Sequence, residues 1–119
     1  MSDETFETGD LKITVRDDND TVSVSWLGTS DAREPGRELT PFLSGLAPKL
    51  VGKSVDVDFR KLEYMNSGTV SPIIQFARAL DQHGVKSRLL FDSQVGWQRV
   101  NYVCLKNIAK ALPHIEVEG

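Results

Sequence analysis

The N-terminal half of the chain is marked by two stretches in which apolar and polar residues alternate. Residues 11–16 (LKITVR) and 22–26 (VSVSW) each place an apolar side chain at every second position. A period of two is typical of a half-buried strand, and the polar residues 17–20 between the stretches are typical of a turn. The pattern predicts an antiparallel hairpin. Trp26 is in phase with the apolar face, so we expect it in the core.

The pattern after the hairpin changes to helical spacing. Residues 28–38 are polar and contain proline and glycine, which indicates a loop. Thr40 and Pro41 resemble a helix cap followed by a first helical residue, and apolar residues then recur at intervals of three and four through Leu50. Pro48 would interrupt a regular helix. We therefore expect a short or bent helix in this region.

The central stretch, residues 54–74, combines a strand with the start of a helix. Residues 54–59 (SVDVDF) alternate as a strand does, and a charged and aromatic link leads from them to Gly68. From there the apolar positions have helical spacing, and Gly84 is typical of a left-handed helix stop. The apolar positions of this predicted helix are Ile73, Phe76, Ala77 and Leu80.

The C-terminal third repeats the alternation of strand and helix. Residues 85–91 predict a strand, and Asp92 or Ser93 could cap a helix that ends before Pro113. Residues 115–117 predict a terminal edge strand. The apolar stripe of the last helix is predicted to consist of Trp97, Val100, Cys104, Ile108 and Ala111.

This order of elements predicts an α/β fold. Successive strand-helix-strand units imply parallel pairing with right-handed crossovers, whereas the N-terminal hairpin is antiparallel. The expected architecture is a single domain with a mixed sheet of four to five strands. About three helices should cover mainly one face of that sheet.

Composition and charge narrow the class of protein. The chain has 119 residues, a formal charge of −3 and a pI near 5.3, which argues against a nucleic-acid partner. Residues 1–10 are acidic and poor in apolar groups, so we expect a disordered tail there and one domain over residues 11–119. Its apolar runs are too short to span a bilayer. We expect a cytoplasmic protein.

Several kinds of chemistry are poorly supported. His83 and His114 lie far apart and belong to no cluster with metal-ligand spacing, so neither a metal nor a cofactor is expected. Cys104 falls on the predicted apolar stripe of its helix, which indicates a buried structural thiol. Asp56 and Asp58 point to the same face of their strand and are typical of a solvated face rather than an acid and base pair. Neither glycine-rich nucleotide motif occurs.

The strand-to-helix junction at Met65-Asn66-Ser67-Gly68 is the best candidate site. A helix N-terminus offers unpaired N–H groups to an anion, and Ser67 places a hydroxyl there. Asn66 or Ser67 could equally act as an ordinary helix cap. The helix could also begin later, with Ser71 as the cap and Pro72 as the first helical residue.

The whole succession of elements, from about Leu11 to Leu112, resembles a STAS domain, the fold of bacterial anti-sigma-factor antagonists. Residues 55–62 resemble that family's hydrophobic strand and turn, and residues 83–91 resemble its glycine-then-strand segment. Residues 65–68 (MNSG) match the position of its Asp-Ser-Ser/Thr-Gly motif. This chain has methionine and asparagine at the first two positions of the motif.

The resemblance implies a non-enzymatic regulator that switches partners. In the family, a dedicated serine kinase phosphorylates the second hydroxyl residue of the motif. The corresponding residue here is Ser67, and Thr69 and Ser71 are rival candidates for the phosphate. The implied partners are a GHKL-type kinase or anti-sigma factor and a metal-dependent serine phosphatase. A scaffold or small-ligand sensor without phosphorylation is the alternative. The expected partner-binding residues are Tyr64, Met65, Asn66, Ser67, Gly68, Thr69 and Gln75, although Tyr64 and Met65 could instead be buried beneath the loop.

Overall fold

A seven-stranded mixed sheet and three α-helices make up the computed structural model, which describes residues 2–119. The α/β class and the three helices agree with the sequence prediction. The sheet has more strands than the four to five expected. The strands are β1 (Glu4–Thr8), β2 (Leu11–Asp18), β3 (Thr21–Ser30), β4 (Ser54–Asp58), β5 (Leu62–Met65), β6 (Ser87–Leu90) and β7 (Ile115–Glu118), and the helices are α1 (Gly36–Leu46), α2 (Val70–Gln82) and α3 (Gly96–Ala109).

Strand β3 is the central element of the sheet. The strand order is β1-β2-β3-β4-β6-β7, in which β1, β2 and β3 are antiparallel and the pairs that follow β3 are parallel. The predicted hairpin is thus confirmed. Strand β5 pairs in parallel with the C-terminal end of β3, from Gly28 to Ser30, where the register shifts after Gly28.

The core lies between one face of the sheet and the helices. Alternate apolar residues of β2, β3 and β4 are buried and pack with the inward faces of α1 and α2. Trp26 is fully buried, and its ring lies 5.0 Å from that of Phe59. The prediction that Trp26 belongs to the core is confirmed.

Strand β1 occupies part of the segment that the sequence predicted to be a disordered tail. Glu4 to Thr8 pair with β2, and the Phe6 ring stacks on Phe42 of α1 at 4.4 Å. Glu4 also forms an ion pair of 2.8 Å with Lys49. Pairing with β2 and this single aromatic contact order a segment whose composition alone indicates disorder.

Helix α1 begins at Gly36, four residues before the predicted cap at Thr40, so that Pro41 lies inside it. The α-helix ends at Leu46, and Ala47–Leu50 continue it as a 3-10 turn with Pro48 near its start. Pro48 has no N–H to donate to the turn before it, so a regular α-helix cannot continue through this position. The expectation of a short or bent helix is confirmed.

Helix α3 is rotated relative to the stripe predicted for it. Gln98 and Leu105 are its buried residues, whereas Val100 is 70% exposed and Cys104 is exposed. The prediction of a buried structural thiol is therefore wrong. The Gln98 side chain accepts a hydrogen bond from the Asp92 amide (2.7 Å) and donates to the carbonyl of Arg60 (3.3 Å). These bonds allow a polar residue to occupy the centre of the buried face.

The face of the sheet away from the helices is polar. Asp56 receives two hydrogen bonds of 2.9 Å from Arg88, and Asp58 receives two of 2.9 Å from the Arg60 side chain. Burial raises the pKa of Asp58, but the hydrogen bonds from Arg60 outweigh it and hold that pKa below its usual value. Both aspartates are thus ion-paired on a solvated face. None of the helices within residues 2–119 combines the length and the apolar character needed to cross a bilayer.

Candidate functional site

The candidate site is the junction between β5 and α2. Strand β5 ends at Met65, Asn66 is extended, and Ser67–Thr69 form a 3-10 turn that leads directly into α2. Pro72 is the third residue of α2, where a missing N–H costs no helical hydrogen bond. The α-helix thus begins at Val70, between the two predicted starts, and the turn that leads into it is capped by Asn66.

Asn66 is the residue that caps this junction. Its side-chain oxygen accepts hydrogen bonds from the Thr69 amide (3.2 Å) and the Thr69 hydroxyl (2.8 Å). Its side-chain nitrogen donates to the carbonyl of Ala32 (2.8 Å), and its backbone amide donates to the carbonyl of Ser30 (2.9 Å). The Asn66 side chain thus accepts the free N–H of the turn and also binds the turn to the segment that follows β3.

A second hydrogen bond joins the same two segments inside the protein. Thr69 is fully buried, and its hydroxyl lies 2.7 Å from that of Ser30, which is also buried. Because the Thr69 hydroxyl donates to Asn66, the Ser30 hydroxyl donates to Thr69. The result is a donor chain from Ser30 through Thr69 to Asn66, which holds the junction in one conformation.

The predicted site residues differ in their accessibility. Ser67, Gly68, Ser71 and Gln75 are exposed, and Tyr64 is 46% exposed. Met65 is only 4% exposed and Thr69 is fully buried, so these two cannot present side chains to a partner in this conformation. Met65 is thus buried beneath the loop, which is the alternative that the sequence left open for it.

The three candidate hydroxyls are now distinguishable. The Thr69 hydroxyl is enclosed and makes two hydrogen bonds, and the Ser71 hydroxyl accepts a bond of 3.4 Å from Gln75. Within residues 2–119 the Ser67 hydroxyl has no protein hydrogen-bond partner and is exposed. Of the three, Ser67 is therefore the hydroxyl that is exposed and has no protein hydrogen bond to break.

Two helix N-termini lie side by side at this site. Gly68 packs on Pro35, which precedes α1, such that a Cβ at Gly68 would lie 3.2 Å from the proline ring. A Cβ at Gly36 would likewise lie 3.5 Å from Pro72. Since each helix N-terminus carries a partial positive charge, their adjacency favours negative charge near Ser67.

Both histidines lie at the far end of α2 from Ser67. His114 bonds to Asp81 near the C-terminal end of α2 (2.9 Å), at the opposite end of the helix from Ser67. No base therefore contacts the Ser67 hydroxyl in the described part of the chain. Among residues 2–119, no group of three His, Cys, Asp or Glu side chains could hold a metal ion.

Ser30 and strand β5 were not predicted from the sequence. Ser30 continues the inward phase of Val22, Val24 and Trp26, so its position in the alternation was a usable signal. Strand β5 has no such signal, because Glu63 and Tyr64 are both exposed between its buried ends. Its pairing with β3 depends on tertiary structure.

We expect Thr69→Val to destabilise the protein by about 1–3 kcal/mol, because the buried Ser30 hydroxyl would lose its partner. The double variant Ser30→Ala/Thr69→Val should recover part of this loss, since it removes the unpaired hydroxyl as well. Urea unfolding measures both, with Ser71→Ala as an exposed control. A Thr69→Val variant as stable as the wild type would contradict the structural role of the chain of hydroxyls.

Solved structures with the same fold cover almost the whole chain. An anti-sigma factor antagonist from Mycobacterium paratuberculosis has a TM-score of 0.59 at 16% identity, over 93% of this chain and 90% of that one. Apo-SiaC from Pseudomonas aeruginosa has a TM-score of 0.58 at 14% identity and covers both chains completely. An uncharacterised protein with a SpoIIAA-like fold from Shewanella loihica has a TM-score of 0.52 at 11% identity, over 96% of this chain and 89% of that one.

These likenesses establish the fold. The chain has the SpoIIAA-like fold, which is the STAS fold, as the sequence resemblance predicted. No protein-family model matches the chain, and no curated protein matches it in sequence.

Proposed function

We propose that this protein is a regulator of the anti-sigma-factor antagonist type, which binds a partner protein and is switched by phosphorylation of Ser67. The observation that carries the proposal is the position of that hydroxyl. Ser67 is exposed, has no hydrogen-bond partner in the described part of the chain and begins the turn that leads into α2. The SpoIIAA-like fold supports the same class of function.

The surroundings of Ser67 would accept a phosphate without refolding. Phosphorylation adds about −1.5 to −2 charges and three acceptor oxygens, and the adjacent N-termini of α1 and α2 favour negative charge. The bonds between Asn66, Thr69 and Ser30 are made by other groups, so they would persist. The change would therefore be confined to the surface.

The partner surface would be formed by the exposed residues around that hydroxyl. Tyr64 supplies an apolar contact on one side, and Ser71 and Gln75 extend the surface along the first turns of α2. A partner with acidic or apolar groups opposite Ser67 would be repelled by the new charge. The partners proposed are a GHKL-type kinase or anti-sigma factor and a metal-dependent serine phosphatase that reverses the modification. The chain itself would not be an enzyme and would act in the cytoplasm.

Phosphate mapping tests the site. The chain is incubated with ATP and the GHKL-type kinases of its source organism, and the modified residue is identified by mass spectrometry. We expect one phosphate, at Ser67, which Ser67→Ala abolishes and the matched variant Ser71→Ala retains. Phosphate on Ser71 would contradict the site assignment, and no phosphate with any of these kinases would contradict the switch.

A small-ligand sensor of the same fold is the second candidate, and one cavity favours it. The cavity has a volume of about 90 Å³ and lies between the β1-β2 turn and the start of α1. Ser30 and Ala32 line it, and the same two residues bond to the Asn66 loop. A ligand there would contact the segment that fixes Ser67. Native mass spectrometry that finds a bound small molecule, together with no phosphorylation, would favour the sensor.

A further inference from the structure

Helix α3 exposes apolar side chains on the side opposite its buried residues. Val100 is 70% exposed, Val103 is 52% exposed and Cys104 is exposed. Positions three and four apart lie on one side of a helix, so these three residues form a continuous surface, which we call the α3 outer face. Val100 and Cys104 belong to the stripe that the sequence pattern assigned to the core, whereas Trp97 and Ile108 of that stripe do pack against the core.

The exposed apolar residues of the protein are concentrated at this helix. Of the five large hydrophobic residues that are exposed within residues 2–119, Val100 and Val103 lie in α3, Val95 and Tyr64 lie beside its N-terminal end, and Val51 lies elsewhere. Val95 immediately precedes α3, and Tyr64 packs edge-on against Trp97 at its N-terminal end, 6.3 Å between ring centroids. Single exposed hydrophobic residues are ordinary, but a cluster marks an interaction surface.

Helix α3 itself carries only positive charges, while Glu116 and Glu118 of β7 line a groove beside Lys106 and Lys110. Residues 93–115 contain Arg99, Lys106 and Lys110 and no acidic residue, so the segment carries +3 in a chain that carries −3, and the remainder carries −6. By helical spacing the three cations and Val103 lie in one row. None of the three forms an ion pair in the described part of the chain, whereas Arg60 and Arg88 do.

We propose that the α3 outer face binds an acidic amphipathic helix of a partner protein. Apolar residues of the partner helix would cover Val100 and Val103, and by helical spacing Cys104 lies at the edge of that contact. Acidic residues beside that apolar face would meet Arg99, Lys106 and Lys110. Complementary charge at the edge of an apolar contact raises the association rate and selects the partner.

Other occupants fit the observations less well. In a two-fold dimer through this face, each subunit would present the same patch, so the cationic row of one copy would lie against that of the other. An anionic membrane would require larger apolar side chains such as Trp, Phe or Leu for insertion, and Trp97 is half-buried against Tyr64. The inference does not depend on phosphorylation of Ser67.

The single cysteine provides the experiment. A benzophenone attached to Cys104 of the full chain is irradiated in a lysate of the source organism, and the crosslinked peptide is sequenced. We expect one protein, crosslinked through a helix with acidic residues beside an apolar face. A synthetic peptide of that helix should bind the unlabelled chain, and replacing its glutamates and aspartates by their amides should weaken binding about tenfold.

Two matched variants make the result decisive. Val100→Asp should reduce both crosslinking and peptide affinity about tenfold, whereas Val51→Asp, which adds the same charge at another exposed valine (55% exposed), should change neither. Unchanged melting temperatures would show that both variants fold. The proposal is overturned by equal crosslinking of both variants, by a neutral or basic crosslinked segment, by adducts with a second copy of this chain or with lipid, or by no adduct.

Discussion

Replacing Gly28 with alanine is expected to destabilise the protein by at least about 2 kcal/mol. Gly28 has a φ of +82°, in the left-handed region that disfavours side chains. A Cβ there would also overlap the carbonyl oxygen of Asp10 and lie 3.2 Å from its carbon. The backbone amide of Thr29 donates to that same carbonyl (3.0 Å), so the β1-β2 turn and β3 cannot move apart without loss of this hydrogen bond.

The effect of Gly28→Ala should reach the candidate site. The register of β3 shifts after Gly28, and the next residues pair with β5, where Ser30 meets Met65. Gly45→Ala is the matched control, because Gly45 lies in α1 with open space around its Cβ position. That variant should be neutral or more stable by up to about 1 kcal/mol. Chemical denaturation compares the two, and equal stabilities would refute the constraint at Gly28.

The second large effect is expected on binding. Ser67→Asp should weaken the affinity for the cognate GHKL-type partner by at least about tenfold, because like or unpaired charge in an interface costs several kcal/mol. The carboxylate would be tolerated by the folded chain, since acidic groups are favourable at a helix N-terminus. Isothermal titration calorimetry of the wild type and the variant measures the change.

Controls separate charge from shape at this position. Ser67→Ala and Ser67→Asn should both retain the fold and bind within about threefold of the wild type, since neither adds charge. Ser71→Asp adds the same charge one turn along the surface and should have a smaller effect. Equal affinities of Ser67→Asp and Ser67→Ala would contradict a switch based on charge.

The strongly periodic segments were predictable from the sequence, because their pattern reflects burial. The hairpin and the apolar side of α2 follow directly from alternation and helical spacing. Strand β1 was not predictable, because its order depends on pairing with β2 and on one contact between Phe6 and Phe42. The composition of a segment does not show which other parts of the chain it contacts, and it is those contacts that order residues 4–8.

For helix α3, the sequence pattern predicted the wrong residues to be buried. Val100 and Cys104 of the predicted stripe are exposed, while Gln98 occupies the buried side through bonds to Asp92 and to the carbonyls of Arg60 and Leu62. A periodicity argument assigns burial by hydrophobicity alone and cannot detect a polar residue whose partners are backbone groups distant in sequence. At the candidate site, the position of Ser67 was predictable, but the enclosure of Thr69 and Met65 was not.

The double pairing of β3 has a consequence for the order in which the protein assembles. The β2-β3 hairpin joins residues close in sequence, so its closure costs little chain entropy, whereas β4 and β5 join β3 only after α1 has crossed over. Ser67 follows β5 directly and is anchored to the end of β3. In a newly synthesised chain, therefore, the hydroxyl of Ser67 reaches its final position only after β5 has paired with β3.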